Sequence, residues 1–139
     1  MIAACAVAAT STKEPTAMYR GTTKVGVITP AQIGQYRAET WDASCEGSPF
    51  VTRGRSARER ARINVHHWDG HVDGYALLET SGRWRIRPMF YGDRPKVAWL
   101  AVRRSATRWD VLRGGRKIGS TIGPDGPAAA AALVIGCDF

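Results

Sequence analysis

Residues 61–91, ARINVHHWDGHVDGYALLETSGRWRIRPMFY, decide the fold. Ala61, Ile63 and Val65 alternate with Arg62, Asn64 and His66 until Asp69-Gly70 breaks the run. Val72, Gly74, Ala76 and Leu78 alternate through a second segment, which Thr80-Ser81-Gly82 ends. In a third, Trp84, Ile86, Pro88 and Phe90 alternate with Arg83, Arg85, Arg87 and Met89. A period of two sends successive side chains to opposite faces of a strand, so each segment buries one face and wets the other. Asp-Gly between alternating runs predicts a two-residue hairpin of type I′, which needs positive φ at both central residues.

The same punctuation continues outward. Gly92-Asp93-Arg94-Pro95, Ser105-Ala106-Thr107, Gly114-Gly115 and Gly123-Pro124-Asp125-Gly126-Pro127 separate the apolar runs around Lys96–Arg104, Arg108–Leu112 and Lys117–Ile122. Upstream, Lys24–Ile28 and Gln35–Trp41 read as strands, and Thr29-Pro30 allows a short helix near 30–34. Residues 46–60 read as an irregular insert, within which Ser56-Ala57-Arg58-Glu59 matches a capping box for one helical turn. Ala128–Cys137 reads as a closing strand, because Leu133-Val134-Ile135 is rich in β-branched residues. The expected fold is all-β: an antiparallel meander of about seven to eight strands closing into a small barrel or sandwich. The expected boundaries are a tether over 1–18 and a single domain over 19–139. With 139 residues and 44% hydrophobic content, the chain is long enough to bury a core without metals.

Three cysteines, Cys5, Cys45 and Cys137, leave one without an intramolecular partner. Ile2-Ala3-Ala4-Cys5 resembles the end of a bacterial lipoprotein signal, in which an aliphatic residue and two small ones precede the lipid-modified cysteine. A polar, small-residue stretch follows it, Ala6 to Thr16. The resemblance covers four residues and implies lipid attachment at Cys5 and a position in the bacterial cell envelope, facing the periplasm or the cell surface. It also implies that an export segment precedes Met1. Cys45 and Cys137 then remain as an even pair for a disulfide in an oxidising compartment.

The net charge of +8 points to a polyanionic partner. Its 16 Arg against 4 Lys and one Asn also match GC-rich codon usage, so composition alone does not choose between the two. Arg83, Arg85 and Arg87 share one strand face, and Arg103, Arg104, Arg58 and Arg62 extend the candidate anion-binding set. His66-His67-Trp68-Asp69-Gly70-His71-Val72-Asp73 holds all three histidines, with His67, Asp69 and His71 the metal candidates, but the preferred reading is solvated hairpin residues and no metal is expected. No Gly-x-Ser-x-Gly elbow, Walker motif or dinucleotide fingerprint occurs, so neither a catalytic residue nor a cofactor is expected. The functional expectation is a non-enzymatic envelope lipoprotein that binds an anionic envelope component or another envelope protein. The alternatives are a cytosolic OB- or SH3-like nucleic-acid module using the arginine face, and a small secreted metal-dependent enzyme.

Overall fold

The computed structural model describes residues 14–31, 36–89 and 98–137. Ten strands form: β1 Thr16–Arg20, β2 Thr23–Pro30, β3 Glu39–Ser44, β4 Phe50–Arg53, β5 Arg62–His66, β6 Val72–Thr80, β7 Arg83–Pro88, β8 Trp99–Arg103, β9 Arg108–Arg113 and β10 Arg116–Ile122. Each pairs antiparallel with its neighbours in the chain, and β10 returns to β1 through the register Ala17 opposite Ile122 and Arg20 opposite Gly119. The meander is therefore a closed barrel, in which each described strand has a neighbour on both sides.

The strand count exceeds the expected seven to eight at two places. β1 begins at Thr16, inside the stretch read as tether, because Thr16 and Met18 turn into the core and are fully buried. β4 lies inside the stretch read as an insert, where four residues are too few to show alternation. The capping-box residues give a 3₁₀ turn over Glu59–Ala61. There the Ser56 hydroxyl accepts the Glu59 N–H at 3.2 Å and donates to Glu59 Oε1 at 2.6 Å. The helix expected near 30–34 falls mostly outside the described residues; Pro30 itself ends β2. The β5–β6 hairpin is longer than a type I′ turn, since of its central residues only Gly70 has positive φ (+104°). Gly70 N–H bonds to the His67 carbonyl and His67 N–H to the His71 carbonyl, which makes a three-residue loop over Trp68–Gly70.

The largest correction concerns 128–137. Eight strands enclose just enough space for side chains, and ten enclose more. The chain fills that lumen with its own helix: α1 (Gly126–Ala131) continues into a π-helical turn over Ala132–Gly136. This segment packs against β1, β2 and β4 through β10. Because β10 already pairs with β1, no ladder is left for an eleventh strand. A backbone inside the lumen must satisfy its own N–H and C=O groups, which a helix does. Leu133-Val134-Ile135 thus has strand-like composition in a position that only a helix can occupy.

Alanine makes the segment narrow enough. Ala129 through Ala132 are entirely buried, and the wall opposite carries small side chains at Ala43, Ala76 and Ala101. At Gly74, an added Cβ would lie 2.9 Å from Ile135 Cδ1 of the π-helical turn. Trp41, Trp84 and Trp109, each under a tenth exposed, complete the core. Just past the helix, Cys137 is bonded to Cys45, which follows β3; their Cα atoms are 5.7 Å apart across 92 positions of sequence.

A meander alternates its connections between two ends of the barrel. At one end lie the entry to β1, the β4–β5, β6–β7 and β8–β9 connections, and the start of α1. The disulfide and the β5–β6 hairpin lie at the other.

Candidate anion-binding site

Strand alternation sorts β7 as expected: Trp84, Ile86 and Pro88 are buried, while Arg83, Arg85 and Arg87 take the outer face. Register sets their neighbours. Arg85 lies opposite Leu77 on β6 and Leu100 on β8, and Arg83 lies opposite Val102. Arg62 on β5 also pairs with Leu77, so Arg62 and Arg85 flank one residue on the outer face. Glu79 binds two of these guanidiniums at once, Arg83 Nε at 3.0 Å and Arg85 Nε at 2.7 Å. The Arg85 hydrogen bond, aided by Arg83, holds the Glu79 carboxyl below the usual carboxylate range against a smaller desolvation effect.

A second arginine group surrounds Asp110 on β9. Arg104 Nε reaches its Oδ2 at 2.9 Å, and Arg108 and Lys117 approach Oδ1 at 3.5 and 3.4 Å. Burial alone would raise the pKa of this nearly enclosed carboxyl. The Arg104 hydrogen bond and the charges of Lys117 and Arg108 outweigh burial, and the group sits below its ordinary value.

Between the two groups an open groove of about 490 Å³ runs from the β6–β7 turn to the β8–β9 turn, lined by Ser81, Gly82, Val102, Arg103, Arg104, Ser105 and Ala106. Arg103 bonds by Nε to the Ser105 carbonyl at 3.2 Å, which orients it along the groove floor. Guanidinium forks and serine hydroxyls together are donors suited to phosphate or carboxylate oxygens. Five arginines, Arg83, Arg85, Arg103, Arg104 and Arg108, stand here against the two carboxylates Glu79 and Asp110.

The other expected arginines are placed differently. Arg62 stacks over Tyr75 at 4.3 Å and bonds Asn64 Oδ1 at 3.0 Å. Arg87 pairs across from Tyr75. Arg58 precedes the 3₁₀ turn in the β4–β5 connection and is exposed, at the same end of the barrel but two strands from the groove. Nearby, Arg53 lies 5.2 Å over Trp84, Arg60 pairs with Glu39, and Asp125 accepts from the Trp41 indole. Burial, with the Glu39 charge, pushes the Asp125 carboxyl above its usual value. Sequence reading missed Glu79, Arg108 and Asp110, whose roles depend on cross-strand register. Cys5 lies outside the described residues.

At the opposite end, His67, Asp69 and His71 do come together at the hairpin tip. The His71 backbone N–H bonds Asp69 Oδ1 at 3.1 Å and is the chief cause of an Asp69 carboxyl held below its usual range. His66 turns away from them. Its ring stacks between Phe50 and Tyr36, at 4.5 and 5.5 Å, and bonds Thr52 Oγ1 at 2.8 Å. Among the described residues no helix is long and apolar enough to cross a membrane. No family model, curated protein or solved structure matches the chain.

Proposed function

We propose that this chain is a lipid-anchored protein of the bacterial cell envelope whose arginine-bearing barrel end binds a polyanionic envelope component. The observation that carries the reading is positional: β1 starts at the same end of the barrel as the arginine groove. Eleven residue steps lead from Cys5 to Thr16, a reach of at most ~40 Å, so an anchor at Cys5 would keep that end close to a membrane surface. The pairing of Cys45 with Cys137 supports it further, because it consumes two of the three cysteines and suits an oxidising compartment. One acyl chain binds a bilayer only marginally, so the several chains of a bacterial lipoprotein are what this reading requires.

Two measurements test it. Expressed behind an export signal in a bacterial host, the protein should incorporate labelled palmitate, and Cys5→Ala should not. On a sulfated polysaccharide column, the purified domain should be retained at low salt. Arg83→Gln/Arg103→Gln should elute at clearly lower ionic strength, as screened guanidinium contacts require. Wild-type protein in the flow-through, or unaltered retention of the double variant, would remove the arginine site from the reading.

A further inference from the structure

The β5–β6 hairpin tip, at the far end of the barrel from the arginines, carries an arrangement that a solvated loop has no need of. Asp69 Oδ1 lies 2.6 Å from His71 Nδ1 and 3.2 Å from His67 Nδ1. The two imidazoles stack with centroids 4.8 Å apart and planes 14° from parallel, so both present the same ring nitrogen to the same oxygen. On the other side of the His71 ring, Nε2 meets Asp73 Oδ1 at 2.8 Å. A neutral imidazole carries one N–H. If Asp73 receives it, the lone pair on Nδ1 faces Asp69 Oδ1, and a cation between them turns that opposition into ligation.

We propose that His67 Nδ1, His71 Nδ1 and Asp69 Oδ1 form a binding site for a borderline divalent metal ion of the zinc type, with Asp73 orienting His71 from behind. Two imidazoles and one carboxylate are a common donor set for such an ion, with the fourth position left to water or to a donor from another molecule. Ligands at about 2.0–2.2 Å from a tetrahedral centre lie roughly 3.3 Å apart. The three donor atoms lie within 4.8 Å of one another, so closing round an ion needs side-chain shifts of about 1–1.5 Å, which exposed side chains allow. Asp73 is the independent observation: a ligating histidine characteristically donates its second N–H to a carboxylate, which fixes the tautomer that can ligate. The backbone bond from His67 N–H to the His71 carbonyl sets both histidines side by side before any ion arrives. The site stands whether or not the chain is lipid-anchored.

The test uses purified protein titrated with Zn²⁺ by calorimetry, and with Co²⁺ by visible absorption. One equivalent should bind at neutral pH, with the Co²⁺ form showing the intense bands of low coordination number. His71→Ala should lower affinity at least about 100-fold, and Asp73→Asn about 10–100-fold with stoichiometry unchanged. Thermal melting of each metal-free variant establishes that the barrel is intact. No saturable binding at millimolar metal would overturn the site. Equal affinity in His67→Ala/His71→Ala would overturn it too, since the ion would then sit elsewhere.

Discussion

Asp110 shows how one side chain can be worth more than its neighbours. It is about a tenth exposed, yet three cations converge on it, Arg104 from the β8–β9 turn, Arg108 from β9 and Lys117 from β10. A carboxyl held below its unfolded-state pKa contributes stability that is fully present above that value and is lost as pH falls through the folded value. Asp110→Asn should therefore cost about 1–2 kcal/mol at pH 7, the scale of a charge-assisted hydrogen bond. The gap to wild type should begin to narrow as pH falls below the ordinary aspartate value of about 4, and should close only below the depressed folded value, where the wild-type carboxyl is protonated too. Urea melts at neutral and acid pH measure both; an equal gap at the two pH values would show that the charge is not the cause. The arginines around it were legible from the alternation in Arg83–Pro88 and from the Arg103-Arg104 pair. Asp110 was not, because its partners come from the β8–β9 turn, β9 and β10, and only the fold brings them together.

At the level of elements, the helix in the lumen is the least legible part. Two rules of composition conflict over 128–137: an alanine run that favours helix, and a β-branched triplet that favours strand. Neither rule contains the fact that decides the matter, namely that β10 is already paired on both sides. Gly126 shows how tight the resulting fit is. Glycine to alanine within a helix ordinarily stabilises by up to about 1 kcal/mol. Here the added Cβ would fall 2.1 Å from Trp109 Cδ1, inside the core. Gly126→Ala should instead destabilise by about 2–3 kcal/mol, the cost of overpacking. A thermal melt at or above the wild-type midpoint would contradict the packing described for α1. The three central strands were readable for the opposite reason: alternation runs through residues 62–65, 73–77 and 83–88, with Asp69-Gly70 and Ser81-Gly82 marking the turns.

Across the whole molecule, closure was legible only as a choice between barrel and sandwich, since β1 to β10 pairing spans nearly the entire described chain. The cysteine count was more informative than the strand pattern. Cys45 and Cys137, the even pair left when Cys5 is set aside, are indeed bonded. In the chain-entropy model, closing a loop of 92 residues contributes about 4–5 kcal/mol. Reduction, or Cys45→Ser/Cys137→Ser, should lower the melting temperature on the order of 15 °C. A shift of only a degree or two would mean that the helix stays seated without its covalent tie.

That seating has a temporal consequence. The segment that fills the lumen lies downstream of every strand, so during synthesis or export the whole wall emerges before its filling does. Ten strands around an empty interior would leave the inward faces of Trp84, Ile86 and Val111 against water, so a stable intermediate of that kind has nothing to hold it closed. Closure of the barrel is therefore expected to wait until residue 137 has been delivered, since the β1–β10 pairing joins the two extremities of the described chain. A version cut before Gly126 should remain a target for proteases from one end to the other.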